Sequence, residues 1–531
     1  MDRRHVISIV LNAHLPFVRH PELSNPSEEQ WFFEALSETY LPLLEVFDRL
    51  DADRVPFRVG IALSPTLCHL LQDELLVQRY LDYTSRQIEF GLEEIERTED
   101  SPPLQALAKL FYDKAVDRRI CFTERYKGNI LHVFNHYQKK GRIELLTTAA
   151  THAFLPFYGF CPEALQAQIE VAITSYRLNF GRYPQGFWLP ELGWSPALET
   201  YLRAYNFGYT VVDTHGLVFG EPRAAKGSFY PVKTPSGVLI LARDYYAAED
   251  IMARDTGFSH DPCYRDTYRD VGYELPPKLV KPFLGSNGGR TRTGYKYWAS
   301  GGEDMEKQIY DPRIASARVQ EQVRAFLDAR ISRLRAAGEY MKETAISLCA
   351  YDADTFGRFW HEGSQFLEAL FREGSRREEI QFMNPAEYLY KQAAFSFQTV
   401  IPEFSSTGTN GYAEMWLDAS NDWMYRHMVR SLERMTELAE RFPDESGLKE
   451  RVLNQAAREV LLAQTSDWPK LLYKQEDSEY ARCQIESCLR NFTTIYEALG
   501  SNYISTEWLT SLERRHNIFP TINYRVFRRK K

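Results

Sequence analysis

Short apolar runs recur along this chain, and each stops at polar side chains. Residues 6–11, 57–63, 143–147, 186–190, 209–212, 238–242 and 345–350 read as strands, with 380–383 as a weaker eighth. Between them lie stretches with helical spacing. Residues 29–50 carry Phe32, Phe33, Leu36, Tyr40, Leu43, Leu44 and Phe47 on one stripe. Residues 66–140 are mostly charged and amphipathic, without a convincing strand, and read as a helical insertion. They end on Lys139-Lys140-Gly141, cations in a last turn and a glycine cap. Alternating strands and helices imply a parallel sheet, closed or nearly closed into a barrel. From about residue 404 the pattern turns helical, with long apolar stripes over 423–442 and 448–463. The expected units are a barrel over 1–403, carrying the insertion, and a helical C-terminal domain over 404–531. Residues 284–302, rich in Gly, Ser and Thr, read as loop.

The 531 residues are 44% hydrophobic and 26% charged, as in an ordinary globular protein. A net charge of −8 without a basic stripe argues against nucleic acid. The basic tail Arg528-Arg529-Lys530-Lys531 reads as a solvated terminus. Seven dispersed cysteines without CxxC suggest a reducing cytoplasm. The run 6–11 is too short for a signal-peptide core or a membrane span. A cytoplasmic monomer without membrane or nucleic-acid partners is the expectation.

Barrel enzymes place their chemistry at the C-terminal ends of strands. Those ends are rich here: His14 after the first, Thr151-His152 after the third, Glu191 at the fourth, Asp213 and His215 after the fifth, Arg243-Asp244 after the sixth, Asp352 and Asp354 after the seventh. A serine hydrolase elbow G-x-S-x-G is absent. His132 and His136 have zinc-protease spacing, but Val133 replaces the glutamate of H-E-x-x-H. Gly288-Gly289 lacks the lysine of a phosphate loop. A metal site from His14, His152, His215 and Asp213, as in barrel deacetylases, is one alternative. A carboxylate pair from two distant strands, Glu191 and Asp352, is the simpler design and suits the splitting of a glycosidic bond. One carboxylate attacks the anomeric carbon, while the other protonates the leaving oxygen and then deprotonates the acceptor. Trp188, Trp194, Tyr351, Phe356 and Trp360 can supply apolar walls around them.

These residues resemble glycoside hydrolase family 57, in the group of 1,4-α-glucan branching enzymes and related amylases. The resemblance runs from His14-Leu15-Pro16 through Thr151-His152-Ala153-Phe154-Leu155-Pro156, Trp188-Leu189-Pro190-Glu191, Tyr351-Asp352-Ala353-Asp354-Thr355-Phe356-Gly357 and Glu414-Met415-Trp416 to Ser466-Asp467-Trp468. It implies an α/β fold, an incomplete (β/α)7 barrel with a helical insertion and an α-helical C-terminal domain that closes over the cleft. It implies Glu191 as nucleophile, Asp352 as general acid/base, α-glucan polysaccharides or maltooligosaccharides as substrates, and no metal or other cofactor. His14, His152, Trp188, Asp213, His215, Arg243, Asp354, Trp360, Trp416, Asp467 and Trp468 are the residues expected around the sugar. Branching leads among the reactions, with hydrolysis or α-1,4 transfer as alternatives and a non-catalytic glucan-binding relative behind them.

The chain departs from the family pattern at six places. Asn12 stands for the first histidine of His-x-His, Asp354 for a glutamate, and Arg358-Phe359 for His-Trp. Met252 and Thr407 stand where tryptophans are usual, and Ala225-Lys226 where Arg-Tyr is. Lost tryptophans remove stacking surface for glucan rings, each worth about 1 kcal/mol.

Overall fold

The computed structural model describes residues 4–285, 288–301, 307–501 and 503–530. Seven parallel strands form its centre: β1 (His5–Ala13), β2 (Val59–Leu63), β3 (Ile143–Leu146), β4 (Gly186–Phe187), β5 (Tyr209–Val212), β6 (Leu239–Ala242) and β7 (Ile346–Asp352). Ladders join β7, β1, β2 and β3 in that order, and β4, β5 and β6 in another. A parallel bridge between Thr147 and Phe187 links β3 to β4. Among the described residues, one backbone hydrogen bond, Asp244 N to Leu348 O at 2.7 Å, joins the chain just after β6 to β7, so the barrel stays incomplete. This is the expected architecture.

The weak eighth strand exists as Ile380–Phe382, but it pairs with the start of β1 instead of extending the barrel. A two-residue strand, Val232–Lys233, lies antiparallel on β6 and is too short to leave a readable pattern. The fourth strand stops at Phe187, because the chain then turns sharply to present Glu191.

Side-chain parity explains which residues reach the barrel mouth. On β1, Ile7, Ile9 and Leu11 face the layer between strands and helices, whereas Val6 and Val10 face the barrel interior. On β7, Cys349 and Tyr351 face outward, and Ile346, Leu348 and Ala350 face inward. Period-two alternation therefore carries Asn12 and Asp352 onto the inner face at the C-terminal rim. The parallel register sets them side by side.

The insertion is helical, as expected: Pro65–Leu70, Glu74–Arg97, Pro102–Ile120 and Ile130–Lys139, closed by Gly141 in the left-handed region (φ +68°). The stripe over 29–50 forms one continuous helical segment with a π-turn at Ala35–Tyr40. Helices Asp422–Arg441, Leu448–Ala463, Asp467–Lys474, Ser478–Ser501 and Thr506–Arg515 form the C-terminal region. Of the expected loop 284–302, Ser286, Asn287 and Gly302 lie outside the described residues, as does Lys531 of the basic tail. The tail is not simply solvated. Arg529 meets Glu163 at 3.3 Å and Lys530 pairs with Glu170, because an acidic edge of helix Pro162–Phe180 lies beneath it. Among the described residues, no helix is long and apolar enough to cross a membrane.

Several acids are buried in this scaffold, and Glu144 is one that lies on a barrel strand. Glu144 of β3 accepts hydrogen bonds from Tyr209 Oη (2.6 Å) and Ala386 N (2.9 Å). Burial outweighs both and pushes its carboxyl up to about 7 from an ordinary 4.5. From about pH 4.5 to 7 the unfolded chain releases a proton that the folded chain keeps. Stability therefore falls as pH rises through that window, by on the order of 3 kcal/mol. Glu144→Gln removes the slope. Thermal unfolding at pH 5 and pH 8 should give a Tm advantage of the variant over wild type that grows with pH; a constant difference would refute it.

Candidate active site

Asp352 ends the inward row of β7 and is the one exposed position of that strand. Glu191 reaches the same mouth by a strained turn. It has φ +56° and Leu192 has φ +49°, two successive non-glycine residues in the left-handed region. Such conformations cost about 1–3 kcal/mol each and persist only where neighbours fix them. Thr407 fixes this one, donating from its backbone N (2.8 Å) and its Oγ1 (3.0 Å) to the Glu191 carbonyl. Trp194 and Ser405 pair backbone to backbone just beyond. The position that usually carries a tryptophan is therefore a clamp on the Glu191 turn. Thr407→Val keeps the backbone bond and loses the hydroxyl. We expect kcat to drop by up to about tenfold, with KM nearly unchanged; unchanged steady-state kinetics would refute the clamp.

A continuous run of hydrogen bonds joins the two carboxylates. Asn12 Nδ2 donates to Asp352 Oδ1 (3.0 Å) and reaches His152 Nε2 (3.3 Å). His152 Nδ1 meets Ser466 Oγ (3.0 Å), which donates to Glu191 Oε1 (3.3 Å). The directions are consistent if His152 is neutral with its proton on Nδ1, a tautomer assigned from this network. Burial, then the neighbouring His14 and Lys470, hold the His152 imidazole well below its ordinary pKa, which agrees. His152 itself has φ +55°.

The C-terminal region completes the site. Ser466 N donates to His152 O, and Thr465 bridges to Ala153. His14 stacks on His152 with centroids 4.0 Å apart, and bonds to Ser64 Oγ (2.9 Å) and Asp467 Oδ2 (2.8 Å). Lys470, one helical turn beyond Ser466, places Nζ 3.5 Å from Glu191 Oε2. Burial raises the Glu191 pKa, and Asp352 and Asp467 add to it; Lys470 and His14 oppose them. Asp467 also feels burial, but His14 and Lys470 hold it below the usual carboxylate range.

The other expected residues fall into three groups. Asp354 is buried, which pushes it up to about 6, and it meets Arg358 at 3.6 Å. Asp213 caps a short helix, pairs with Arg243 and faces His215 at 3.6 Å, while His215 Nε2 donates to Gly411 O at 2.8 Å. Burial would raise Asp213, but His215 and Arg243 outweigh it. This trio braces the segment that carries Thr407. The tryptophans are buried: Trp188 in the barrel core, Trp360 among Tyr264, Phe356 and Phe366, Trp416 stacked on Phe154 at 5.0 Å, and Trp468 donating to Leu462 O at 3.1 Å. As placed they build walls, whereas Phe359 and Met252 are exposed. The expectation that the tryptophans contact sugar directly finds no open ring face here, because the apolar core claims them. The four-residue metal alternative does not assemble, because His215 and Asp213 brace another loop; His14 and His152 instead lie with Asp467, one ligand atom of each within 4.8 Å of the others.

Sequence reasoning missed Ser64, Ser466, Lys470 and Thr407 as site residues, and met Asn12 only as a departure. Ser466 and Lys470 share a helix face with the recognised Asp467-Trp468 motif, so i,i+4 spacing is the signal that finds Lys470.

Comparison with known proteins agrees with this geometry. Residues 8–279 match the model described as glycosyl hydrolase family 57. The chain belongs to that family. Residues 427–527 of this family-57 chain match a second description, 1,4-α-glucan branching enzyme, C-terminal. A 1,4-α-glucan branching enzyme of Thermococcus kodakarensis is 28% identical over 97% of this chain and 77% of its own length. The α-amylase AmyC of Thermotoga maritima superposes with a TM-score of 0.93 at 34% identity, over 99% of this chain and 100% of that one. A family-57 branching enzyme of Pyrococcus horikoshii gives 0.88 at 26% identity, over 99% and 97%.

Proposed function

We propose that this chain is a retaining α-1,4-glucan-active enzyme whose main reaction is 1,4-α-glucan branching. Asp352 gives its proton to the leaving O4 as a Glu191 carboxylate oxygen bonds to C1 and the C1–O4 bond breaks. The glucan chain then rests on Glu191 as an ester. A 6-hydroxyl of a second glucan attacks C1, Asp352 takes its proton, and the ester bond breaks, which leaves an α-1,6 link. His14 and His152 stand beside the carboxylates and face the reacting sugar in this reading. The observation that carries it is the unbroken hydrogen-bonded path Asp352–Asn12–His152–Ser466–Glu191, which unites two distant strand ends and the C-terminal region at one mouth. The branching-enzyme relatives and the C-terminal match support branching.

Hydrolysis is the second reading, favoured by the amylase neighbour and by the absence of tryptophan at Met252 and Thr407, where an acceptor chain would stack. Incubation with amylose decides between them. After debranching and chain-length analysis, new α-1,6 branches with few new reducing ends support branching. Reducing ends without branches support hydrolysis. No change in either removes both readings.

A further inference from the structure

We infer that Lys470, delivered by the C-terminal helical region, is the charge partner of the nucleophile and makes docking of that region part of the catalytic dyad. The inference rests on the reading of Glu191 as nucleophile. Its ground is geometric. The Glu191 carboxylate is only 10% exposed and has two side-chain partners among the described residues, Ser466 at Oε1 and Lys470 at Oε2. Lys470 is the one full cation among them; Ser466 is neutral. Both sit within one helical turn of the chain, Ser466 just before helix Asp467–Lys474 and Lys470 within it.

The charges around Glu191 make this cation necessary. Asp467 faces it from the same helix, Asp352 from the end of β7, and His14 from beyond β1, while His152 is neutral. His14 is committed to Asp467 at 2.8 Å. Three carboxylates thus converge, and Lys470 is the fixed positive charge that offsets them. Among the groups that favour the ionised form of Glu191, Lys470 is the strongest. Its own ammonium is stabilised mainly by Glu191, with Asp352 and Asp467 adding to that. The Lys470 side chain is 30% exposed. Once the ester forms, the Glu191 charge is gone while the Lys470 charge remains.

Lys470 acts through Glu191 and is therefore a positioning residue, and its test reads pH dependence. Wild type, Lys470→Gln and Lys470→Arg are assayed on amylose from pH 4 to 9. Loss of the cation should move the acid limb of kcat/KM upward by about one pH unit. Activity should then fall roughly tenfold or more on the acid side, with a smaller loss at pH 8, and the arginine variant should recover the wild-type limb. A Gln variant whose acid limb coincides with wild type overturns the inference. If wild type does not act on amylose, the glucan reading fails by itself. Lys470 is then decided by thermal unfolding of wild type, Glu191→Gln, Lys470→Gln and the double variant. Coupling at pH 7 that fades at pH 4 supports the charge pair, and additive Tm changes at both pH values overturn it.

Discussion

Glu191→Gln should lose turnover of amylose by at least about 10³-fold while folding normally. The amide keeps the size of the carboxylate and still accepts from Ser466, so the strained turn and its Thr407 clamp survive. What disappears is the nucleophilic oxygen pair. Steady-state rates and thermal unfolding measured on one preparation check both halves. A variant with native Tm and appreciable turnover would remove Glu191 from the mechanism. A variant that fails to fold would mean that the turn needs the Lys470 charge for stability as well as for chemistry.

The second large effect belongs to Asp352. Asp352→Asn should slow amylose turnover by about 10²–10⁴-fold, the usual range for loss of a positioned acid/base. The two half-reactions respond differently. With an α-maltooligosyl fluoride the leaving group needs no proton, so glycosylation of Glu191 proceeds while transfer to an acceptor stays slow. A burst of fluoride should precede a slow steady state. Asp354→Asn is the control, because Asp354 is buried against Arg358 and lies outside the hydrogen-bonded path. A burst seen with Asp354→Asn and absent with Asp352→Asn would exchange their roles.

The barrel was legible because its strands are unbroken apolar runs with polar ends. Each run is covered on both faces, so the signal is strong even at four residues. Glu191 and Asp352 stood out for the same reason, as carboxylates just beyond such runs. Three features were not legible. The left-handed turn at Glu191 and Leu192 depends on two hydrogen bonds from Thr407, more than two hundred residues away, and the neighbouring Gly193 is itself extended, so no glycine marks the left-handed positions. The contribution of Ser466 and Lys470 depends on how the C-terminal helices dock, which no periodicity encodes. The tryptophans misled in the opposite direction. Trp188, Trp360, Trp416 and Trp468 lie in or beside the motifs in sequence, yet packing draws all four into apolar interiors. Asn12 shows how a departure from a family pattern gains meaning only in three dimensions. It lies next to Asp352 in the β1–β7 register and spends its amide hydrogens on Asp352 and His152.

The most direct test of the mechanism is to trap its intermediate. The Asp352→Asn variant is mixed with an α-maltooligosyl fluoride, quenched in acid during the slow phase, digested and mapped by mass spectrometry. One glycosyl adduct on the peptide that contains Glu191, absent from the Glu191→Gln/Asp352→Asn double variant, is the predicted result. An adduct on Asp354 or Asp467, or none under conditions where fluoride is released in a burst, would contradict it.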